Sequence, residues 1–396
     1  MSNLVSDRIQ ALSPSATLAM SQKSQELKAQ GVDVINLSVG EPDFATPDHI
    51  KVAAKEAIDN NFSFYTPVPG YLSLRKAISE KLKKENGVDF APEQIVVGNG
   101  AKHELTNVVM SIVNPGDEVV IPTPAWVSYI QMVILAGGKS VEVPTTMAQN
   151  FKVTPEQLDA AITPKTKLVI LCSPSNPTGS VYSEAELRAL AAVLGKYPKV
   201  MVLADEIYEH INYIGGNFSI ARCEELKDRV CIINGVSKAY AMTGWRIGFV
   251  AAPLWLAKAI TKLQGQYTSG ASSIAQKAAE AAYTGSQQCV EDMRVAFQRR
   301  RDLIVSRLRE IPGLDVNEPD GAFYVFPCIK EFGMTSDEFA TRFLQEYKVA
   351  VVPGTAFGDS GEGFLRISYA YSIDNLKVAI GRLAEFVEKL RKEQNK

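Results

Sequence analysis

The chain has 396 residues, of which 46% are hydrophobic and 22% charged, and its formal net charge at pH 7 is −2. This composition is typical of a globular enzyme of two domains and excludes a largely disordered chain. The near balance of 42 basic and 44 acidic residues provides no overall positive field that would attract nucleic acid or anionic lipid.

The sequence contains no recognisable membrane signal. The opening residues, "MSNLVSDRIQAL", lack an apolar run of signal-peptide length, and no segment approaches the ~20 apolar residues of a membrane span. We therefore expect a cytoplasmic protein with no membrane partner.

Cysteine and histidine residues are few and scattered. The five cysteines form no CxxC pair, which argues against a disulfide framework and against a zinc site. The three histidines supply little for metal binding or for Ser-His-Asp chemistry. We predict no metal site, and we expect the cysteines to be reduced packing residues.

The predicted elements divide the chain into two regions with different patterns of helices and strands. The first 45 or so residues contain a helical pattern followed by "DVINLSVGEPDF", and we expect them to pack with the C-terminal part of the chain. In the middle, strand-like runs alternate with helical patterns, and "KLVIL" and "KVMVL" are continuous apolar runs typical of strands covered on both faces. This alternation predicts an α/β fold with a mostly parallel, doubly wound sheet.

After about residue 285 the pattern changes to a long charged helix, short strands and a C-terminal helix. These elements predict a smaller α+β unit of antiparallel strands with helices on one face. The predicted domains are therefore a large domain over residues 46–285 and a small domain over residues 1–45 and 286–396. The run "QRRRD" lies in an amphipathic helix, so a solvated helix face is favoured there over nucleic-acid contact.

Small and polar residues follow two of the predicted strands, at the sheet edge where open α/β sheets bind ligands. In "VVGNGAKHEL", Gly98, Gly100 and Ala101 lie between a strand and a helix, where backbone amides can approach a phosphate. A tight turn without a ligand would use the same glycines. In "SPSNPTG", Asn176 either points its amide into a cleft or caps the turn.

Charged residues lie next to two further strands. "VLADEIYEH" ends an apolar strand with Asp205, a carboxylate that is costly to bury without a cation, and Tyr208 would share its site if a helical turn begins there. Lys238 follows "RVCIINGVS" and Arg246 precedes "IGFVAA". A desolvated lysine is a competent amine for a Schiff base and an arginine offers a fork for phosphate, whereas two partly exposed loop cations are the alternative.

Arg366 lies inside the apolar strand "GFLRISYA", where a guanidinium requires a carboxylate partner in the protein or in a ligand. Taken together, a lysine amine, a phosphate-binding turn, a carboxylate and this arginine match the needs of pyridoxal phosphate. That cofactor requires a lysine Schiff base and an acidic partner for its pyridine nitrogen.

The motifs "PSNPTG" and "SKAYAMTGWRIG", in this order along the chain, give it a family resemblance. Over essentially its whole length the sequence resembles the fold-type I, pyridoxal-phosphate-dependent aminotransferases of class I, and it is most similar to the bacterial aspartate aminotransferase subgroup. The resemblance implies that Lys238 forms the Schiff base and later carries a proton between the substrate Cα and the cofactor. Asp205 would keep the pyridine nitrogen protonated, Tyr208 and Asn176 would bind the phenolic oxygen, and Trp126 would stack on the ring.

The same resemblance implies a phosphate site and a homodimer with shared active sites. Arg246, the Ser237 hydroxyl and the amides around Gly100, Ala101 and Lys102 would hold the phosphate. Tyr65, in "FSFYTPVPGY", would reach the phosphate of the neighbouring subunit.

For the substrate, the resemblance assigns the α-carboxylate to Arg366, with the backbone of Gly40 nearby and Asn176 and Trp126 also bordering the substrate. The arginine that some relatives supply from the partner subunit for the distal carboxylate is not evident in this sequence. In the subgroup most like this chain, Lys102 would take that role with Ser15 or Thr17 of "SPSATLAM". The alternative is that Lys102 merely neutralises the phosphate or faces solvent.

The resemblance implies ping-pong transfer of the amino group of L-aspartate to 2-oxoglutarate, and relatives with the same lysine also accept prephenate. An aminotransferase of aromatic amino acids and a C–S β-lyase are the alternatives within this fold. A regulator that fuses this fold to a DNA-binding module is disfavoured, because the residues before Asp33 are too few to hold a helix-turn-helix.

Overall fold

A computed structural model describes residues 4–394. Its strands, in chain order, are β1 (Ile35–Asn36), β2 (Ile95–Gly98), β3 (Glu118–Thr123), β4 (Lys139–Pro144), β5 (Thr166–Cys172), β6 (Met201–Asp205), β7 (Val230–Gly235), β8 (Gly248–Ala251), β9 (Tyr324–Val325), β10 (Val349–Ala350), β11 (Val352–Pro353) and β12 (Leu365–Ser368). Its helices are α1 (Asp7–Gln10), α2 (Ala16–Ala29), α3 (Asp48–Asp59), α4 (Leu72–Lys81), α5 (Ala101–Ile112), α6 (Ser128–Leu135), α7 (Pro155–Ala161), α8 (Glu184–Gly195), α9 (Leu254–Tyr267), α10 (Ser273–Thr284), α11 (Gln288–Arg309), α12 (Ser336–Tyr347) and α13 (Ile373–Gln394).

The largest sheet has seven strands in the order β2-β8-β7-β6-β5-β3-β4. Neighbouring strands are parallel except for β8, which is antiparallel to both β2 and β7. The short connection between β7 and β8 contains no crossover helix, and such a connection returns the chain antiparallel. The predicted α/β class and the mostly parallel, doubly wound sheet are confirmed.

The central strands owe their position to their apolar sequences. Every residue of β6 and β7 is buried, and five of the seven in β5 are buried. Helices cover both faces of the sheet, so two separate apolar cores lie on either side of it. This arrangement brings the carboxyl ends of β5, β6 and β7 to one edge, where the polar residues of the sequence motifs follow.

A second sheet, in the order β11-β12-β9, is antiparallel and lies in the C-terminal part of the chain. Its core is rich in aromatic side chains from β9, α11, α12 and α13. The N-terminal strand β1 pairs in parallel with β10, which attaches the N-terminal segment to this C-terminal part. The domain boundaries at residues 45/46 and 285/286 remain predictions, and residues 1–3 and 395–396 of the predicted small domain lie outside the described residues.

The described residues bear on the expectations about the cysteines and about membrane-spanning helices. All five cysteines are free thiols there. Between residues 4 and 394, none of the helices combines the length and apolarity needed to cross a membrane.

Candidate active site

The carboxyl ends of β5, β6 and β7 open into a cavity of about 350 Å³. Its wall also includes the first turn of α5, the N-terminal segment on either side of β1, and β12. The residues predicted from sequence that line this cavity are Ser15, Thr17, Gly40, Ala101, Lys102, Trp126, Asn176, Asp205, Tyr208, Ser237, Lys238, Arg246 and Arg366. The folded chain therefore brings together residues from widely separated motifs.

Lys238 reaches the cavity from the loop that follows β7. Its Nζ donates a hydrogen bond to the carbonyl oxygen of Gly40 at 2.5 Å, and no described carboxylate lies within ion-pair distance. Burial is the main cause that lowers the pKa of this amine to about 8. The charges of Arg366 and Arg246 also lower it, while those of Glu41 and Asp205 oppose the shift. Near neutral pH a larger fraction of Lys238 is therefore neutral than of an ordinary lysine, as a nucleophilic amine requires.

Asp205 ends β6 and lies in the same cavity with only 3% of its surface exposed. Its Oδ2 accepts a hydrogen bond from the hydroxyl of Tyr129 at 2.6 Å, and its Oδ1 accepts from the backbone N–H of Ile207 at 3.2 Å. Burial raises the pKa of Asp205 to about 6, although both hydrogen bonds favour the charged form. A buried carboxylate held in this way is suited to a cationic partner.

An anion-binding arrangement lies at the start of α5. Gly100 precedes the helix with φ of 88°, and no side chain caps the first turn. The guanidinium of Arg246 donates to the carbonyl oxygens of Asn99 at 3.2 Å and Thr243 at 2.9 Å, and it packs directly against the place where a Cβ on Gly100 would lie. Uncapped amides at a helix N-terminus, with the Ser237 hydroxyl and a guanidinium beside them, are suited to a phosphate.

Arg366 is buried on β12 without a protein anion. Its guanidinium donates to Asn176 Oδ1 at 3.0 Å and to the carbonyl oxygen of Ser38 at 2.5 Å, and it lies 4.5 Å from the ring centroid of Tyr324. Its Nε has no partner, and no described carboxylate pairs with it. Of the two partners that the sequence left open for this arginine, the structure supplies no protein carboxylate, so a ligand carboxylate is favoured.

The side chains of Tyr208 and Asn176 come from two different loops and line the same cavity. The Tyr208 hydroxyl lies 2.8 Å from that of Tyr324, and Asn176 Nδ2 has no acceptor among the described residues, so it is free to donate to a ligand. Sequence reasoning missed Tyr324 and Tyr129. Both are aromatic residues in buried elements, which is the pattern of ordinary core residues, and no local signal separates them from core.

At the outer end of the cavity, Lys102 lies over Trp126. The Lys102 Nζ is 4.9 Å from the ring centroid and makes no ion pair with a described carboxylate. Partial burial, and then the charge of Arg246, lower the pKa of Lys102. The hydroxyls of Ser15 and Thr17 lie 2.9 Å apart nearby, and Ser15 also caps α2 by accepting from the N–H of Leu18.

Three predicted residues do not line this cavity: Gly98 at the end of β2, Gly100 just before α5, and Tyr65. Tyr65 is 98% exposed, and the neighbouring Phe64 is 80% exposed. The assignment of Tyr65 to a partner subunit stays a prediction.

A buried amine, a carboxylate at the neighbouring strand end and an anion-binding helix N-terminus around one cavity of a doubly wound sheet define the class of fold-type I transferases. The chain belongs to the family of class I and class II aminotransferases, whose family model matches residues 32–383. The predicted enzyme class is confirmed.

Known proteins resemble the chain over nearly its full length. A probable aspartate/prephenate aminotransferase of Rhizobium leguminosarum bv. phaseoli is 49% identical and covers 96% of this chain and 98% of its own. The crystal structure of an aspartate aminotransferase from Rhizobium meliloti is 44% identical with a TM-score of 0.93, covering 97% of this chain and 98% of its own. The aspartate aminotransferase from Thermus thermophilus, solved with maleate, is 42% identical with a TM-score of 0.92, covering 96% of this chain and 99% of its own.

Proposed function

We propose that this aminotransferase binds pyridoxal 5′-phosphate and transfers the amino group of L-aspartate to 2-oxoglutarate, giving oxaloacetate and L-glutamate. The observation that carries the proposal is that four basic side chains without an ion-pair partner among the described residues line one cavity, namely Lys238, Arg246, Arg366 and Lys102. The cofactor would supply an aldehyde for Lys238 and a phosphate for Arg246. The two carboxylates of the amino acid would pair with Arg366 and Lys102. The names of the relatives support the choice of aspartate.

The groups around the cavity fit the cofactor. Lys238 would hold its aldehyde, Asp205 would face its pyridine nitrogen, and Arg246, Ser237 and the first turn of α5 would hold its phosphate. Tyr208 and Asn176 would donate to its phenolic oxygen, and Trp126 would cover its ring. When bound, the cofactor supplies an electron-accepting ring that stabilises negative charge on the substrate Cα.

The residues of the chain would then perform three tasks. Arg366 would bind the α-carboxylate and so orient the Cα–H bond. Lys238, once released from the aldehyde, would take the proton from Cα and return it to the cofactor carbon, because its lowered pKa lets it act as both base and acid near neutral pH. Asp205 would keep the pyridine nitrogen protonated as its counter-charge.

Side-chain specificity would depend on Lys102 and the nearby hydroxyls of Ser15 and Thr17. A carboxylate in a largely dry pocket needs a partner, so a free cation at the outer end favours dicarboxylic substrates. The similar protein from Rhizobium leguminosarum is named for both aspartate and prephenate, and this favours prephenate as a second amino acceptor. We also propose a homodimer in the cytoplasm, in which Tyr65 completes the phosphate site of the other subunit.

The test is the absorbance spectrum of the purified, cofactor-loaded protein before and after addition of L-aspartate without an oxo acid. We expect the band of the loaded protein to be replaced by that of the pyridoxamine form, and 2-oxoglutarate to restore it. An unchanged spectrum with aspartate would contradict the substrate assignment. Release of pyruvate and ammonia from a thioether amino acid, without the pyridoxamine band, would instead support a C–S β-lyase.

The variant Lys102→Ala tests the distal pocket separately. We expect it to raise KM for aspartate about 10-fold more than KM for phenylalanine, since only aspartate has a second carboxylate to lose its partner. Lys199→Ala removes an exposed lysine outside the cavity and serves as the control. Equal effects on both substrates would remove Lys102 from distal-carboxylate recognition.

A further inference from the structure

A buried polar cluster lies behind the cavity, on the far side of the turn that follows β6. We call it the Glu209 cluster, and its members are Lys81, Glu85, Asn86, Glu206, Glu209, His210 and Asn234. They come from the end of α4 and the turn after it, from the turn after β6, and from β7. None of these residues lines the cavity.

Glu209 is the centre of the cluster and is only 6% exposed. It accepts hydrogen bonds from the ammonium of Lys81, from Asn86 Nδ2 at 2.6 Å and from Asn234 Nδ2 at 2.7 Å. Burial would raise the pKa of Glu209, but the charges of Lys81 and His210 hold it below its usual range, so the carboxylate is ionised. Its two oxygens are therefore fully used by three donors from different elements.

The cluster does not have the character of a metal site. Ligand atoms of Glu85, Glu209 and His210 lie within 4.8 Å of one another. However, the Lys81 ammonium already pairs with Glu209 and lies 3.6 Å from Glu85 Oε2. The Lys81 ammonium already supplies a cation at this position. The cluster is therefore a structural network, and its role depends on the elements that it connects.

Its position shows what it connects. The β6/β7 ladder ends at the pair of Asp205 and Ile233, with one further backbone bond from Glu206 N–H to Ile233 O at 2.9 Å. Beyond this point the two segments separate, and the one that follows Asp205 carries Tyr208 while the other carries Lys238. The hydrogen bond from Asn234 to Glu209 spans them just past the end of the ladder.

Asn234 is also fixed to the loop that carries the lysine. Its Oδ1 accepts the N–H of Gly235 at 2.7 Å, while its Nδ2 reaches Glu209. Lys238 follows four residues later. Among the described residues, this asparagine provides the side-chain hydrogen bond that joins the turn of residues 206–211 to residues 234–238.

From this geometry we infer that Asn234 and Glu209 are positioning residues, which fix the turn of Asp205 and Tyr208 relative to the loop of Lys238. Neither touches the cofactor or the substrate. The inference rests on the proposed function, because the distance it sets matters only if Asp205 and Lys238 hold the same cofactor. An error in that distance would misplace the amine relative to the ring, and displacements of about 1 Å at reacting groups are costly.

The test compares Asn234→Ser with Asn86→Ala in the cofactor-loaded protein. A serine at 234 can still accept from Gly235 N–H but cannot reach Glu209. Asn86→Ala removes the hydrogen bond to Glu209 together with those from Lys81 at 2.6 Å and to Glu206 at 3.0 Å, but it leaves the bond from Asn234 to Glu209 in place, so it is a control for lost stability within the same cluster. Three quantities are measured for each variant: kcat and KM with aspartate, the pH midpoint of the cofactor absorbance, and the Tm of the apoprotein.

We expect both variants to lower Tm, and Asn86→Ala to lower it at least as much as Asn234→Ser, because Asn86 makes three hydrogen bonds within the cluster. Only Asn234→Ser should lower kcat, by about 10-fold with KM within about 2-fold, since it misplaces the amine without removing a substrate contact. It should also move the absorbance midpoint by about half a pH unit or more, because Lys238 changes its distance to Asp205, Glu41 and the two arginines nearby.

Unchanged kcat and midpoint in Asn234→Ser, or equal changes in Asn86→Ala, would overturn the inference. If Asn234→Ser does not accumulate as folded protein, Glu209→Asp takes its place, since it keeps the charge beside Lys81 while withdrawing it from Asn234, and the same results are expected. The wild-type protein in the same assays distinguishes failure of the proposed function from failure of the positioning role. If the wild type shows no cofactor band or no turnover, the proposed function is refuted. If the wild type is active and Asn234→Ser has the same kcat and absorbance midpoint, only the positioning role is refuted.

Discussion

Tyr129 is the residue whose contact with the candidate catalytic groups is clearest and least expected. It lies on α6 with 2% of its surface exposed and donates to Asp205 at 2.6 Å. A hydrogen bond to the ionised form of a buried carboxylate opposes the desolvation that raises its pKa. We therefore assign Tyr129 the role of keeping Asp205 charged near neutral pH.

The substitution Tyr129→Phe tests this role. Without the hydroxyl, the pKa of Asp205 should rise above its present value of about 6. If Asp205 faces the pyridine nitrogen as proposed, the affinity of the apoprotein for pyridoxal phosphate should fall as pH drops through that pKa, because a neutral Asp205 has no charge for the nitrogen. The variant should lose this affinity at a higher pH than the wild type does, as measured by equilibrium dialysis between pH 5 and pH 8.

The control for this experiment is Tyr182→Phe. Tyr182 is also a buried tyrosine, and its hydroxyl accepts from the N–H of Val153 at 2.9 Å, remote from the carboxylate. Its removal should lower stability and leave the pH dependence of cofactor affinity in place. Identical pH profiles for Tyr129→Phe and the wild type would show that the hydroxyl does not govern Asp205.

At this scale the sequence predicted the charged members of the cavity and some of its neutral members, such as Asn176 and Tyr208, but it missed Tyr129 and Tyr324. Lys238, Asp205 and Arg366 were identifiable because a charge beside an apolar strand is costly and needs an explanation. Tyr129 and Tyr324 carry no such signal, because a tyrosine in a buried element is ordinary. The carbonyl oxygens of Gly40 and Ser38, which accept from Lys238 and Arg366, belong to the backbone and have no side-chain signature.

At the scale of elements, the turn from β2 into α5 shows why a glycine is needed. Gly100 has φ of 88°, and a Cβ there would overlap the guanidinium of Arg246. The turn before β3 contains Gly116 with φ of 86°, but nothing lies within 4 Å of the place where its Cβ would be. The two glycines thus share a positive φ and differ in what surrounds them.

This pair allows a controlled prediction. Gly116→Ala should lower the free energy of unfolding by about 1–2 kcal/mol, the cost of a positive φ for an L-residue. Gly100→Ala should lower it by at least as much, because φ of 88° with ψ of 161° lies in a region that almost only glycine occupies. Only Gly100→Ala should also displace Arg246 and weaken cofactor binding, by about 10-fold or more, since a charge-assisted pair to phosphate is lost. Denaturant unfolding and equilibrium dialysis measure the two effects. Equal cofactor affinity in both variants would contradict the anion-binding role of this turn.

Strands were predicted correctly where the apolar pattern is continuous. They were missed where contacts with distant parts of the chain determine whether a strand forms. The strands β5, β6 and β7 were evident from runs of buried residues. The sequence interpretation did not single out β4, since "KSVEVP" carries charges on an exposed edge of the sheet and only Val143 is buried in it. The two-residue strands β1 and β10 exist only because they pair with each other over a long sequence separation, which no local pattern can indicate.

At the scale of the whole molecule, the exposed aromatic residues bear on the proposed dimer. Phe64, Tyr65 and Tyr267 are 80%, 98% and 74% exposed, and side chains of this kind on one surface favour contact with another protein. If Tyr65 serves the other subunit, the active site draws on both chains.

Hybrid dimers test this sharing. When Tyr65→Ala and Lys238→Ala chains are produced together in equal amounts, half of the dimers should be hybrids, and each hybrid should contain one site without either lesion. Activity should therefore recover to about a quarter of the wild-type value, from the random pairing of two subunit types. The control pair, Asp205→Asn with Lys238→Ala, should give no recovery, since both residues belong to the same chain's cavity. Absence of recovery in the first pair would contradict a shared site.

The hydrogen bonds of Arg366 have a consequence for how the protein is made. This arginine binds Asn176, 190 residues earlier in the chain, and Ser38, 328 residues earlier. During synthesis from the N-terminus, the strands that carry Asp205 and Lys238 leave the ribosome long before β12 does, and domains fold as they emerge. The cavity therefore stays without the wall that carries Arg366 until translation is nearly finished. If Arg366 binds the substrate carboxylate as proposed, competence to recognise a substrate is acquired at the end of synthesis, after most of the central sheet has had time to form.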